Sequence, residues 1–359
     1  MSTLASPPAW TADAVERLAL DVGGSLHVDG WGPAISIGTD RLPDGAFAAP
    51  LSDLGLLSVS GEQGRAFLHA QLTNDVEHLA PGTARWAGYC TAKGRLLSTF
   101  RYWCDPTAVL LTVSRPLAQP IARRLSMFVL RAKAKVADAS DAHALFGLCG
   151  DPAAAAAAAA FGLSVPTADG AVSAEGVHLV GLPPLPAGEG SAERGRWLLV
   201  VPAAQAAQAW QALDAAVTAV SGAAWRRSEV MAGIPRIVPG TSELFVPQML
   251  NFESVDGVNF RKGCYPGQEI VARSQYLGKL KRRMFAAHGD GAPPEPGSDV
   301  VPGGGGEPCG QVVLAAPDGA GGFDLLFESQ VAAAEAGPVL ADGRALAPRA
   351  LPYVLKAID

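Results

Sequence analysis

Charged and aromatic residues are both scarce in this chain. Of its 359 residues, 17% are charged and 7% are aromatic, whereas 49% are hydrophobic. This balance excludes global disorder, and the length allows the cores of two or three domains to be buried. The formal net charge of −6 does not by itself indicate a nucleic-acid partner.

Cysteine is rare and scattered. The chain has five cysteines, an odd number with no C-x-x-C pair: Cys90, Cys104, Cys149, Cys264 and Cys309. This pattern excludes a disulfide framework and argues against a self-contained zinc or iron–sulfur site. We therefore predict no resident metal ion and a reducing compartment.

Long apolar runs are also lacking. None reaches the roughly 20 residues that a membrane-spanning helix needs. The sequence begins MSTLASPPAW, without the basic start and apolar core of a secretory leader. We therefore expect a cytoplasmic protein with no membrane partner.

Reactive groups are concentrated in one stretch, residues 260–273. It contains the thiol of Cys264, the amine of Lys262 and two guanidinium groups, including that of Arg273. The segment Tyr265–Gln268 places Pro and Gly at the central positions of a type II turn. A helix that follows this turn would put its positive end near Cys264, and this end and the cations favour thiolate over thiol.

Two interpretations of this stretch remain open. The first is a reactive or ligand-binding cysteine in an electropositive loop. The second is a half-buried small residue at a tight turn with a solvated basic rim.

Basic charge continues just beyond this stretch. The segment 279–283 carries four cations: Lys279, Lys281, Arg282 and Arg283. Although the whole chain is not expected to bind nucleic acid directly, this segment is a candidate for contact with phosphate, a polyglutamate tail or RNA. A solvated basic face is the alternative.

The periodicity of apolar residues predicts an α+β fold of antiparallel strands with helices to one side. Between residues 143 and 222 the order β-α-β-β-α resembles a ferredoxin-like half, with its second helix over Ala203–Val220. Glycine-rich turns between short strands predict a small β-barrel at the C-terminal end. The predicted units are a loosely packed lead-in at 1–45, a core domain at 46–142 plus 223–283, the ferredoxin-like unit at 143–222 and the barrel at 284–359.

The order of residues in the central stretch is more informative than its composition. KGCYPGQEIVAR, at Lys262–Arg273, resembles the signature of the YgfZ-type folate-binding proteins, which include mitochondrial iron–sulfur assembly factors. These proteins share a fold with the T-protein of glycine cleavage, an aminomethyltransferase. Other segments resemble the same family in the same order: Val59–Val76, Cys90–Phe100, Ala232–Pro235, Phe245–Asn251 and Tyr276–Arg283.

The resemblance implies a T-protein-like, three-domain fold around an opening that binds tetrahydrofolate. Trp225 would then contact the pterin, with Arg226 and Arg227 suited to the anionic tail. Glu229, one helical turn on, would accept hydrogen bonds from the aminopyrimidine edge. From the residues alone, a core tryptophan at the domain junction is the favoured interpretation of Trp225, and Glu229 is an exposed surface residue or pairs with Arg226.

The resemblance also implies roles in the central stretch. Cys264 would act as a thiolate, while Lys262 and Arg273 would lower its pKa or hold an anion. Tyr265 and Gln268 would position the loop and complete the cofactor site. One cysteine cannot hold an iron–sulfur cluster alone, so any cluster would be shared with a partner.

Two positions depart from the related families. T-proteins carry an acidic residue in the strand that corresponds to Arg95–Phe100, and this chain has none there. Leu54 lies where YgfZ-type proteins have a second folate-contacting tryptophan.

Three functions follow as hypotheses. The first is a tetrahydrofolate-binding auxiliary protein that acts through Cys264 in the assembly or repair of iron–sulfur client proteins, including enzymes that modify tRNA. The second is a folate-dependent aminomethyl transferase, which the missing carboxylate disfavours. The third is a folate store or sensor in which Cys264 is structural.

Overall fold

The computed structural model describes residues 12–188, 192–276 and 280–356. Within these ranges the helices are α1 (Ala12–Val22), α2 (Gly64–His69), α3 (Arg115–Val129), α4 (Asp151–Phe161), α5 (Ala206–Asp214), α6 (Gly222–Met231), α7 (Gln268–Tyr276) and α8 (Val331–Glu335). Short 3₁₀ helices lie at Ser140–Ala142, Ala203–Gln205, Pro239–Thr241 and Pro247–Leu250.

The strands of the described ranges fall into four sheets. In chain order they are β1 (Ser25–Asp29), β2 (Gly32–Ser36), β3 (Phe47–Pro50), β4 (Leu54–Ser60), β5 (Ala84–Cys90), β6 (Leu96–Cys104), β7 (Ala108–Ser114), β8 (Lys135–Asp138), β9 (His143–Cys149), β10 (Ala171–Ala174), β11 (Val177–Leu185), β12 (Arg194–Pro202), β13 (Thr218–Ala219), β14 (Arg282–Asp290), β15 (Asp299–Pro302), β16 (Gly310–Pro317), β17 (Gly322–Gln330), β18 (Pro338–Leu340) and β19 (Ala347–Arg349). β1 and β2 form a separate hairpin.

A five-stranded antiparallel sheet has the order β5-β6-β7-β4-β8. The hairpin between β5 and β6 turns at Gly94, whose φ of +71° is a conformation that glycine adopts without strain. The N–H of Gly94 donates to Thr91 O at 2.9 Å, which closes the turn. The sheet packs its apolar face against α2 and α3.

A six-stranded sheet has the order β10-β11-β12-β9-β3-β13. β12 lies between β9 and β11 and runs antiparallel to both, so β9 and β11 are parallel and joined through α4. This arrangement is a split βαβ unit and matches the ferredoxin-like half predicted from the sequence. The alanines of α4 pack against the sheet together with α1 and α5.

The third large sheet is antiparallel and C-terminal, with the order β18-β15-β16-β17-β14-β19. Helix α6 packs against β16 and β17, which ties this sheet to the rest of the molecule. The predicted α+β class with mainly antiparallel sheets is therefore confirmed. No helix in the described ranges has the length and apolarity needed to cross a membrane.

Two sequence predictions about local structure are wrong. The helix predicted over Ala203–Val220 ends at Asp214, because Thr218–Ala219 pairs with β3 as an extra strand. The lead-in is not loosely packed over residues 12–45. Trp31 and Ile35 are buried, and α1 joins the core of the second sheet.

Candidate functional site

A buried cavity lies where the five-stranded sheet, β11–β12 and α6 meet. Its inner chamber, of about 40 Å³, is mainly apolar and has these polar lining residues: Thr99, Arg101, Thr112, Arg196, Glu229 and Arg236. An outer chamber, of about 270 Å³, leads away from it. The two chambers share Trp86, Arg101 and Ile234 in their walls, and we call them together the Trp86–Trp225 cavity.

Trp225 contributes an aromatic wall of the inner chamber. Helix α6 places it there, and Ser221 caps the start of this helix, since its Oγ accepts the N–H of Ala224. The Trp225 side chain is only 1% exposed, and the guanidinium of Arg196 stacks over its ring at 5.4 Å. Its Nε1 has no hydrogen-bond partner among the described residues. Trp225 is thus a core residue that also lines the cavity, and its Nε1–H has no acceptor within the described residues.

Glu229 lies one turn further along α6 in the same chamber. Its Oε2 is 3.0 Å from Arg236 Nη2, but the contact lacks hydrogen-bond geometry, and no other group in the described ranges completes one. Burial raises the pKa of Glu229, an effect that Arg236 opposes and Asp53 reinforces. A ligand with N–H donors would therefore stabilise the carboxylate.

The arginines that flank Trp225 in the sequence are used elsewhere. Arg226 pairs with Asp29 and with Asp53, at 3.1 Å in the second case, rather than with Glu229. Arg227 pairs at 2.8 Å with Asp324 of the C-terminal sheet. The expectation that these two arginines suit an anionic tail is therefore wrong, because both lock α6 to neighbouring elements.

The cavity charges come instead from residues that the sequence interpretation missed. Arg101 and Arg196 are buried, and burial lowers the pKa of each to about 10. Arg101 stacks over Trp86 at 5.2 Å, and Arg236 is 2.7 Å from the buried carboxylate of Asp53. The sequence does carry a signal for Arg101, which lies inside an apolar strand as Phe100-Arg101-Tyr102. Buried arginines are rare, so an arginine in such a position indicates a specific role.

The stretch predicted to carry chemistry forms an ordered loop, Lys262–Gly267, which we call the thiol loop. Gly267 has a φ of +81°, and the N–H of Gln268 donates to Tyr265 O at 3.2 Å, as expected for a type II turn. α7 starts at Gln268, so the predicted helix is confirmed. The Gln268 side-chain oxygen accepts the Tyr265 N–H at 3.3 Å, which orders the turn.

Lys262 anchors the thiol loop to α2. Its ammonium donates to the backbone oxygens of His69 and Leu72, the second at 2.8 Å, and lies 4.8 Å from the ring centre of Tyr265. Burial lowers the pKa of Lys262 to about 8, while Asp75 and Cys264 act in the opposite direction. Lys262 therefore titrates closer to neutrality than a free lysine.

Cys264 is exposed, whereas the four other cysteines are buried or partly buried. Arg273 is exposed on α7, and Tyr265 is buried beneath the loop. The structure thus brings Lys262, Cys264, Tyr265 and Gln268 into one loop. In the part of the chain that the structure describes, none of them lines either chamber of the Trp86–Trp225 cavity.

Part of the basic segment is neutralised within the protein. Arg282 pairs with Glu328, with one contact of 2.8 Å, and the buried Arg283 pairs with Glu253. Lys281 is exposed, and Lys279 lies outside the described residues. The predicted contact with RNA therefore has fewer available charges than the sequence indicates.

Comparison with solved structures defines the fold class. The glycine cleavage system aminomethyltransferase T from Bartonella henselae superposes with a TM-score of 0.72 over 96% of this chain and 99% of that one, at 16% identity. The chain therefore has the T-protein fold, as predicted. No family model matches the sequence.

Curated relatives identify the family. The tRNA-modifying protein YgfZ of Colwellia psychrerythraea is 30% identical over 261 residues, which are 73% of this chain and 77% of the relative. The protein of the same name from Vibrio vulnificus strain CMCP6 is 32% identical over 252 residues, 70% of this chain and 72% of its own length. The chain belongs to the YgfZ family.

Proposed function

We propose that this protein is a cytoplasmic, tetrahydrofolate-binding auxiliary factor for the assembly or repair of iron–sulfur proteins, acting through Cys264. The observation that carries the proposal is the Trp86–Trp225 cavity, where Trp225 Nε1 and Glu229 Oε2 are buried without hydrogen-bond partners among the described residues. Buried polar groups of this kind are normally satisfied, so their presence in a cavity wall suggests a polar ligand.

The chemistry of the cavity fits a reduced pterin. A pterin is flat, and the rings of Trp86 and Trp225 line the inner chamber that would take its edge. Its aminopyrimidine edge carries N–H donors, which the Glu229 carboxylate can accept. The inner chamber, at about 40 Å³, holds little more than the edge of a ring. The remainder would extend past Trp86 into the outer chamber, where Arg85 can meet an anionic tail. The same chamber is also lined by the carboxylates of Asp169, Glu193 and Asp256.

The thiol loop supplies the second half of the proposal. Cys264 is exposed in a loop that Lys262 and the Tyr265–Gln268 turn hold in place. A sulfur presented in this way can ligate a metal or exchange with a disulfide of a client protein, releasing one of its thiols. Lys262 is a neighbouring cation, and Arg273 lies exposed on the helix that follows the loop. Since one thiolate cannot hold a cluster, the client would provide the remaining ligands.

Relatives of this chain carry the name tRNA-modifying protein. We infer that its clients include enzymes that modify tRNA, because the basic segment offers few free charges for direct binding of RNA. The overall charge of −6 is consistent with a role through proteins rather than through nucleic acid.

Calorimetric titration with tetrahydrofolate tests the cavity. Glu229→Gln keeps the shape of the side chain but removes its charge, and we expect it to weaken binding at least about tenfold, or about 1.4 kcal/mol. Trp225→Phe should also weaken binding. Glu62→Gln, at an exposed site, is the matched control. Equal affinity in wild type and Glu229→Gln would remove the assignment.

Complementation tests the thiol. A strain that lacks its own copy would receive the wild type, Cys264→Ala, Lys262→Ala or the control Cys104→Ala, and several iron–sulfur enzymes would be assayed. We expect Cys264→Ala to restore little activity and Cys104→Ala to restore all of it. Full rescue by Cys264→Ala would contradict the thiol role, and turnover of an aminomethylated lipoyl carrier would favour aminomethyl transfer.

A further inference from the structure

A cluster of imidazoles and carboxylates lies beside the thiol loop and outside the Trp86–Trp225 cavity. His69 ends α2, while Glu77 and His78 follow in the next loop. One donor atom from each of the three lies within 4.8 Å of the other two. Two imidazoles and a carboxylate at this spacing can converge on a single ion.

Asp75 holds both imidazoles of the cluster. Its Oδ1 is 2.9 Å from His69 Nδ1 and 3.1 Å from His78 Nδ1, and the two rings stand 5.8 Å apart at 87°. A neutral imidazole that donates Nδ1–H to a carboxylate keeps a lone pair on Nε2. A carboxylate in this position orients a histidine and raises its basicity as a metal ligand.

Asp75 is itself fixed by the fold. Its carboxylate accepts the backbone N–H of His78 at 3.0 Å, and its backbone oxygen accepts the Tyr102 hydroxyl at 2.8 Å. The His69 backbone oxygen accepts a hydrogen bond from the ammonium of Lys262. The cluster is therefore attached to both the five-stranded sheet and the thiol loop, and its geometry is preorganised.

The cluster is accessible from solvent. Asp75 and His78 line an open cleft of about 720 Å³, together with Arg85 and Arg261. The side chain of His78 is 72% exposed and that of His69 is 13% exposed. An ion can therefore enter, and it would retain coordination positions for water or for a ligand from a partner.

We propose that His69, Glu77 and His78 form a binding site for a divalent transition-metal ion, with Asp75 orienting the two histidines. Imidazole ligands favour Fe²⁺, Co²⁺, Ni²⁺ and Zn²⁺ over Mg²⁺ and Ca²⁺, which prefer oxygen ligands. The site adjoins the thiol loop, since a Cβ added at Gly263 would lie 3.7 Å from His69 Nε2. The sequence prediction of no resident metal ion came from the spacing of the cysteines. That spacing carries no information about this site, because none of its ligands is a thiol.

Titration of the metal-free full chain with Co²⁺ and Zn²⁺, by calorimetry and by the visible absorption of bound Co²⁺, tests the proposal. We expect one ion per chain. The double variant His69→Gln/His78→Gln should bind at least about tenfold more weakly, and Asp75→Asn should lose about 10–100-fold. His27→Gln changes an exposed histidine elsewhere and should bind as the wild type does.

Circular dichroism would confirm that each variant is folded before its affinity is compared. Three results would overturn the proposal: no saturable uptake of Co²⁺ or Zn²⁺, uptake undiminished in the double variant, or displacement of Co²⁺ by equimolar Mg²⁺. The binding measurement does not involve folate or client proteins, so its outcome is separate from that of the proposed function.

Discussion

The Trp86–Trp225 cavity and the thiol loop are built in different ways. The cavity takes its walls from strands and a helix that are far apart in the sequence, and the arginines of its inner chamber are buried. The thiol loop takes its side chains from consecutive residues, Lys262–Gly267, and presents Cys264 to solvent. The shape of the cavity depends on the tertiary fold, whereas the shape of the thiol loop depends mainly on one turn and on the hydrogen bonds of Lys262.

This difference predicts that stability and reactivity reside in different places. The buried ions behind the cavity are costly to leave unpaired, so changes there should destabilise the whole protein. Within the thiol loop, the exposed side chain of Cys264 contributes little to packing, so changes to Cys264 itself should alter chemistry and leave stability intact. Substitutions in the two regions can test this division.

The largest effect is expected at Asp53, which supports the cavity wall. Asp53 is 2% exposed and shares its carboxylate with Arg226 at 3.1 Å and Arg236 at 2.7 Å. Asp53→Asn removes the buried carboxylate that the two guanidinium groups share, leaving Arg226 with Asp29 and Arg236 with Glu229, and should lower the free energy of unfolding by about 3–5 kcal/mol. Urea unfolding at pH 7 measures this. Glu62→Gln, in an exposed pair with Lys133, should cost less than about 1 kcal/mol.

The same carboxylate gives a pH dependence. Burial raises the pKa of Asp53, but Arg236 and Arg226 outweigh it and hold the pKa below its usual 3.8. A lowered folded pKa means that this stabilisation is complete above the unfolded pKa and is lost as the pH falls through the folded one. Wild type should thus lose stability below about pH 4 more steeply than Asp53→Asn. Parallel acid-unfolding curves would contradict the assignment.

The thiol loop was predictable from sequence because its determinants are local. Proline and glycine at fixed turn positions define the bend, and the residues that follow continue as a helix. The cavity was only partly predictable. Trp225 and Glu229 lie on one helix, but Trp86, Arg101 and Arg236 reach the site through strand pairing and domain packing. The pairing of Arg226 with Asp53 likewise depends on tertiary contacts that no local pattern encodes.

A smaller effect is expected at Gly267 of the thiol loop. Its φ is +81°, and an added Cβ would come within 2.4 Å of Thr91 O and 2.6 Å of the Gly94 backbone. Gly267→Ala should therefore destabilise the protein by about 1–3 kcal/mol through backbone strain and crowding. Urea unfolding again measures the change. Gly304→Ala, where an added Cβ meets nothing within 4 Å, should be neutral.

A modest effect is expected at Lys262. Burial lowers the pKa of Lys262 to about 8 in the folded protein, from 10.5 in the unfolded chain. Between these two pH values the unfolded chain therefore binds more protons than the folded protein. Stability should therefore rise with pH in this interval, by less than about 1 kcal/mol after solvent screening. Lys262→Met should lack the rise, and exposed Lys133→Met should keep it. NMR of the lysine ¹⁵Nζ should give a midpoint near 8, and a midpoint near 10.5 would refute the buried-amine assignment.

The smallest effect on stability, with the largest on reactivity, is expected at Cys264. Cys264→Ser should change the free energy of unfolding by no more than about 0.5 kcal/mol, because the side chain is exposed. In the native wild type, iodoacetamide should modify this thiol well before the others. Cys90, for example, is buried, and burial raises its pKa to about 12. Mass spectrometry of the alkylated peptides measures the order of reaction.

Cys104→Ser is the matched control for that experiment, since Cys104 is partly buried and burial raises its pKa. This variant should keep the fast-reacting thiol, while Cys264→Ser should lose it. If Cys104 reacts as fast as Cys264, exposure does not single out the loop, and the contrast between a structural cavity and a reactive loop fails. If only Cys264 reacts early, the thiol loop carries a reactive side chain that contributes little to stability, as its exposure predicts.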